Sequence, residues 1–255
     1  MAVAAGLAQV RARINAISAE LKISPPRLVA VSKLMPASAV MEAYNEGQRH
    51  FGENYVQEIC EKAPALPPDI KWHLIGHLQS NKAKALLKSV PNLYMVESVD
   101  NAKCAAALDK ACDAVGRREP LLVLVQVNTS QEESKSGCDE SNFLEVVEHV
   151  INSCKRLRFA GLMTIGKLGD DNPEPYFRAL ASCRARAAEK FSLKEQELEL
   201  SMGMSGDFEL AARHGATNVR VGSTIFGARP AKKDSPPPSD AGGGADAGRG
   251  AVLSA

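Results

Sequence analysis

The chain has 255 residues, 45% of them apolar and 24% charged, with a formal net charge of +1. That is the composition of an ordinary globular protein, long enough for one α/β barrel or two smaller domains. Near-neutral charge excludes binding that depends on neutralising many nucleic-acid phosphates, and no apolar stretch approaches membrane-spanning length.

Leu7, Val10, Ile14, Ile17 and Leu21 recur at helical spacing and predict an amphipathic helix packed on the domain. Arg11 and Arg13 interrupt the apolar segment that a signal peptide would need, which favours a cytoplasmic protein. The lack of acidic residues before Glu20 keeps a mitochondrial transit peptide as the rival reading.

The apolar run from Arg27 ends at Lys33-Leu34-Met35-Pro36 and reads as a buried parallel strand leaving its sheet. A lysine at such an exit has little surface to snorkel along, and desolvation lowers its pKa. A neutral amine is what attacks a carbonyl to form a Schiff base. The competing reading is a lysine that bends out to solvent.

Further strands are expected at 48–52, 71–76, 92–97, 121–127, 158–163, 197–201 and 218–222. Helices are expected at 37–46, 53–61, 79–88, 100–115, 140–154, 174–190 and 205–213. Strand-helix alternation repeated about eight times predicts a single (β/α)8 TIM-type barrel with an extra N-terminal helix, a doubly wound sheet being the alternative. Ser38, Asp100 and Ser205 stand where N-caps belong. The barrel should occupy residues 1–230, and the Pro/Gly-rich stretch 231–255 should be a disordered tail.

Six cysteines without a CxxC pair indicate a reduced chain rather than a disulfide framework. Cys104 and Cys112 share a predicted helix but lack histidines nearby. His73 lies in a strand, so it forms no helical pair with His77, and no metal site is expected.

In a barrel the active site lies at the carboxyl ends of the strands, with phosphates often bound after strands seven and eight. Those ends read Ser201-Met-Gly-Met-Ser205-Gly-Asp207 and Arg220-Val-Gly222-Ser223-Thr224. Ser205 would open a helix whose amides favour an anion, Gly222 permits close backbone approach, and Ser223 offers a hydroxyl. Turn glycines and caps alone would explain either loop, but both stand at the expected phosphate-binding ends. Neither is a nucleotide motif, so the phosphate belongs to a small molecule. Alternation points Arg220 and Gly222 into the mouth and Val219 and Val221 to the helices. Arg220 there needs either a structural carboxylate or a ligand. The polar loop 132–137 reads as solvated, with covering the mouth as its alternative.

These residues resemble the pyridoxal phosphate homeostasis protein family, single barrels related in fold to the barrel domain of bacterial alanine racemases. The likeness rests on Val29-Ala-Val-Ser-Lys33, Phe51-Gly-Glu-Asn54-Tyr-Val-Gln-Glu58 and Trp72-His-Leu-Ile-Gly-His-Leu-Gln-Ser-Asn-Lys82. It extends through Gly161-Leu-Met-Thr-Ile165, Leu200-Ser-Met202-Gly-Met-Ser205 and Val219-Arg-Val-Gly-Ser223. The order and spacing of these blocks are highly specific, and only the tail falls outside them. The resemblance implies a fold-type III barrel binding pyridoxal 5'-phosphate (PLP), with Lys33 forming the internal aldimine. Ser205, Gly222 and Ser223 would hold the phosphate, Arg220 would face the pyridine nitrogen, and Asn54 and Met202 would lie near the ring.

An arginine there leaves the nitrogen unprotonated and the ring a poor electron sink. Racemases of this fold add a second domain carrying a tyrosine, which this sequence does not show. The expected function is therefore PLP and vitamin B6 homeostasis without catalysis. The partners would be the cofactor and PLP-dependent apoenzymes as recipients, and the chain a monomer. A weak amino-acid racemase and a cofactor-free Schiff-base aldolase are the alternatives.

Overall fold

A computed structural model describes residues 2–132, 136–167 and 169–227. Eight parallel strands close into a barrel in chain order. They are β1 (Arg27–Val31), β2 (His50–Glu53), β3 (Lys71–Leu74), β4 (Leu93–Val99), β5 (Leu121–Gln126), β6 (Leu157–Met163), β7 (Glu199–Ser201) and β8 (Asn218–Val221). The barrel closes where β8 pairs with β1, setting Arg27 opposite Asn218 and Ala30 opposite Val221. The helices are α1 (Ala2–Leu21), α2 (Ala37–Asn45), α3 (Val56–Lys62), α4 (Ala83–Ser89), α5 (Ala102–Ala114), α6 (Phe143–Ser153), α7 (Glu174–Phe191), α8 (Phe208–Arg213) and α9 (Ser223–Phe226). This is the expected single (β/α)8 barrel with an extra N-terminal helix.

Helix α1 buries Val3, Leu7, Val10, Ile14 and Ile17, one face of a helical repeat, and packs on α8 and α9. Its backbone comes so close to α9 that a Cβ on Gly6 would lie 2.5 Å from the Thr224 carbonyl oxygen. Thus α1 braces the short helix that follows β8.

Strand alternation divides the interior. Val123 and Val125 join the core between strands and helices, whereas Leu124 joins a separate cluster with Met95 and Met163 inside the barrel. Beside that cluster and the valines of β1 the lumen holds a polar group: His73, Glu97, Ser201, Asn218 and Arg220 are all buried there. Barrel lumens are ordinarily filled by branched apolar side chains.

Several local expectations need correction. Helix α2 begins after Pro36 rather than at Ser38, with no side-chain cap. Helix α5 is capped not by Asp100 but by Asn101, whose side chain accepts from the Cys104 amide at 2.8 Å. Helix α8 starts at Phe208, not at Ser205, because the Asp207 carboxylate reaches back to the Met204 amide (2.6 Å) and closes the preceding loop. Helix α9 was not expected, since four residues carry no readable periodicity. The tail 231–255 and the centre of the 132–137 loop lie outside the described residues. Among the described residues no helix is long and apolar enough to cross a membrane, and no group of side chains is arranged to hold a metal ion. All six cysteines are free, and five are buried.

Candidate functional site

At the carboxyl ends of β1, β7 and β8 lies a cavity of about 240 Å³, sized for a single small ligand. Lys33, Ser205, Arg220, Gly222 and Ser223 all line it. Five of the seven residues singled out from the sequence therefore meet at one place. Its apolar walls include Ile75, Met204 and Phe226.

Lys33 sits in a tight turn directly after β1. The Met35 amide donates to the Ser32 carbonyl at 3.0 Å, and Leu34, the third residue of the turn, has φ +64°. That position in a type II turn suits glycine, so a leucine there is strained and must be held by its surroundings. The Leu34 amide donates to the Glu58 carboxylate. On the other side of Lys33, the Ser32 hydroxyl donates to Glu53 Oε1 (2.6 Å) and the Ser32 carbonyl accepts from Lys62 Nζ (2.8 Å). Lys62 Nζ also pairs with Glu53 (2.8 Å) and Glu58 (2.6 Å). Burial pushes the Glu53 carboxyl up to about 7 against the opposing pull of Lys62 and Ser32. Lys33 itself is half-buried.

Arg220 is 4% exposed on β8. One guanidinium nitrogen donates to Ser201 Oγ at 2.6 Å and another to the Thr164 carbonyl at 2.8 Å. Ser201 in turn donates to Glu97 Oε2, while Glu97 Oε1 accepts from Asn218 Nδ2 at 3.0 Å and lies 2.6 Å from His73 Nδ1. His73 Nε2 continues to His50 Nδ1 at 2.9 Å. Burial alone would raise the Glu97 carboxyl, but His73, Arg220 and Ser201 overcome it and hold the group at about 2. Glu97 is therefore a carboxylate, so His73 Nδ1 must carry the proton between them. Burial, with His73, Arg27 and Lys71 adding to it, lowers His50 to about 3 and keeps it neutral.

The two expected phosphate loops are linked, since the Gly222 amide donates to Ser205 Oγ at 3.2 Å. Ser205 therefore serves the site as a tether between loops rather than as the cap of α8. Gly222 precedes α9, whose first turn leaves amides without intrahelical acceptors. A Cβ on Gly222 would approach the Val31 carbonyl to 3.1 Å, so β1 as well as any ligand calls for glycine there.

The remaining two expectations sit differently. Asn54 follows β2 at the same end of the barrel, outside the cavity lining, and its buried Oδ1 has no hydrogen-bond partner among the described residues. Met202 is fully buried in the main core and also lies outside the lining. Sequence reasoning missed Lys62 and Glu97, and gave no role to Ser201 and Met204 within the strand-seven end it singled out. Glu97 did leave a signal, being a lone carboxylate inside the apolar run Leu93–Val99, which a buried strand tolerates only with partners.

The donor set suits an aromatic ring bearing an acceptor and an anionic arm. Arg220 carries five N–H donors, of which Ser201 and Thr164 occupy two, and the group still faces the cavity. Ser205 and Ser223 supply hydroxyls, and Ile75, Met204 and Phe226 supply apolar walls for a ring.

Residues 6–230 match the family model of the alanine racemase N-terminal domain. A pyridoxal phosphate homeostasis protein of Homo sapiens is 49% identical over 226 residues, covering 86% of this chain and 82% of that protein. The one from Schizosaccharomyces pombe is 47% identical over 213 residues, covering 82% and 86%. Among solved structures, PipY of Synechococcus elongatus with PLP bound superposes with a TM-score of 0.73 at 34% identity, covering 88% of this chain and 100% of that one. An alanine racemase from Corynebacterium glutamicum, 16% identical with a TM-score of 0.68, covers 92% of this chain and 63% of its own; it shares the fold.

Proposed function

This chain belongs to the pyridoxal phosphate homeostasis protein family, and from that premise we propose that it holds PLP on Lys33 and serves the homeostasis of that cofactor. The observation that carries this reading is the convergence of Lys33, Arg220, Ser205, Gly222 and Ser223 on one small cavity. When bound, PLP supplies an aldehyde that condenses with an amine and a ring that can accept electrons.

The chain's own residues do the rest. The turn pinned by Lys62, Glu53 and Glu58 presents the Lys33 amine at the mouth. Ser205 ties the β7 loop to Gly222, so hydroxyls and amides converge where an anionic group would sit. Arg220 would offer N–H donors and a permanent charge to the ring nitrogen, which would then stay unprotonated.

That last point favours holding the cofactor over exploiting it. Racemisation also needs an acid-base group on each face of the substrate carbon. Among the described lining residues, Lys33 is the group suited to that work. We take PLP-dependent apoenzymes as the recipients, and a cytoplasmic monomer as the working form.

The test is reduction of the PLP-loaded protein with borohydride, followed by peptide mapping and a racemase assay on alanine and serine. A pyridoxyl group on Lys33 with no turnover supports the proposal. A pyridoxyl group on another lysine would overturn the site, and vigorous racemisation would overturn the non-catalytic role.

A further inference from the structure

A guanidinium buried as deeply as Arg220 normally pairs directly with a carboxylate, often through two parallel hydrogen bonds. Here its two partners are neutral, a serine hydroxyl and a backbone carbonyl. The carboxylate stands one hydroxyl further back. Arg220 can only donate, so Ser201 Oγ accepts from it and must turn its single proton to Glu97. Glu97 lies on β4 and Ser201 on β7, so this strut crosses the lumen before it reaches Arg220 on β8. His73 and Asn218 engage the other Glu97 oxygen, fixing the carboxylate from behind.

Building on the reading that PLP occupies the cavity, we propose that Ser201 and Glu97 are positioning residues that hold Arg220 with its free donor edge toward the bound ring nitrogen. The set-back arrangement does two things that a direct ion pair could not do together. It supplies the negative charge that keeps a buried cation tolerable, and it leaves no carboxylate competing for the donors that face the cavity. A Glu97 in direct contact with Arg220 would draw the fork of N–H groups toward itself. The Ser201 hydroxyl transmits the charge and blocks that rotation. The Thr164 carbonyl holds the second nitrogen, so the guanidinium plane is set by two points. Burial pulls Arg220 below its ordinary value while Glu97 and Asp207 pull it back up, consistent with Glu97 acting as a remote counter-ion.

The experiment compares wild type, Ser201→Ala, Glu97→Gln and the conservative Ser201→Thr, with Ser18→Ala as a control that removes a buried hydroxyl from α1. Each is loaded with PLP and with an analogue whose ring nitrogen is replaced by CH. The readouts are the absorbance maximum of bound PLP, the dissociation constant for both compounds, and thermal melting. Ser201→Ala and Glu97→Gln should shift the PLP absorbance and weaken PLP about 5- to 10-fold, as expected for one charge-assisted hydrogen bond. Both should leave affinity for the analogue near that of wild type. Ser201→Thr should restore the spectrum, and Ser18→Ala should not change it.

Equal losses for PLP and the analogue, or an unchanged spectrum in folded Ser201→Ala, would overturn the proposal. Were both core variants to fail to fold, Ser201→Cys decides, since a thiol of similar size is a weak acceptor: a shifted spectrum with a loss confined to PLP supports the proposal, and an unchanged spectrum overturns it. Failure of wild type to attach PLP at Lys33 would instead sink the functional reading itself.

Discussion

Lys62 Nζ lies 2.8 Å from the carbonyl oxygen of Ser32, the residue immediately before Lys33. A second, buried lysine thus supports the backbone of the first. Lys62 also neutralises Glu53, whose other oxygen, Oε2, is buried without a hydrogen-bond partner among the described residues. The Lys33 amine stands on a turn whose conformation is imposed from below.

Lys62→Met should therefore destabilise the protein by about 3 kcal/mol at pH 8, the typical cost of leaving one member of a buried ion pair alone. The loss should be smaller at pH 5, where Glu53 can take up a proton. Urea unfolding at the two pH values measures the difference. Equal losses would show that Lys62 acts by packing alone.

Glu53 gives the wild type a pH dependence of defined sign. Its folded pKa of about 7 lies above the ordinary carboxylate value of 4.5, so the folded state holds the extra proton between those values. Its contribution to stability is complete below about pH 4.5 and fades as pH rises through 7. Glu53→Gln should abolish that part of the slope in a denaturation series from pH 4.5 to 7.5.

Glu97 acts in the opposite sense. Held at about 2, below the ordinary carboxylate value of 4.5, it contributes stability above pH 4.5 that is lost as pH falls toward 2. The contribution is of order 3 kcal/mol. Glu97→Gln should flatten the acid limb of the stability curve, which melting temperatures from pH 5 to pH 2 would reveal.

Lys33→Ala should remove covalent PLP while leaving the melting temperature of the unliganded protein within a few degrees of wild type. The side chain is half-buried at the mouth and fills no part of the core. Absorbance after loading and mass after borohydride reduction check the first claim, and calorimetry checks the second.

Gly222→Val should weaken PLP retention and also lower stability by about 1–3 kcal/mol, because the added atoms press on β1. The Val31 carbonyl would lie 3.1 Å from the new Cβ. An unchanged melting temperature would mean that the β1–β8 seam relaxes more readily than its geometry suggests.

The barrel was legible because parallel strands buried on both faces leave unbroken apolar runs such as Leu121–Val125, and because those runs alternate with helical periods. Lys33 stood out as a charge at the end of such a run, and Arg220 as a charge inside one, between Val219 and Val221. The polar strut was not legible: His73, Glu97, Ser201 and Arg220 come from four strands and meet only when the barrel closes. Lys62 looks like any helical surface lysine until α3 turns it under β1. The caps failed because Ser38, Asp100 and Ser205 each have neighbours that begin the helix elsewhere: Pro36, Asn101 and Asp207.

The strands that complete the cylinder, β1 and β8, are also those that carry Lys33 on one side and Arg220, Gly222 and Ser223 on the other. During synthesis the amine leaves the ribosome long before its counterparts do. An emerging chain would carry the lysine proposed to bind the cofactor but nothing to aim or retain it. Capture has to wait for the last strand to dock. A ligand held across that junction then favours the closed form by mass action, growing with its concentration relative to the dissociation constant. Abundant cofactor would then favour closed molecules over partly opened ones, so its level would be read out in the stability of the β1–β8 junction.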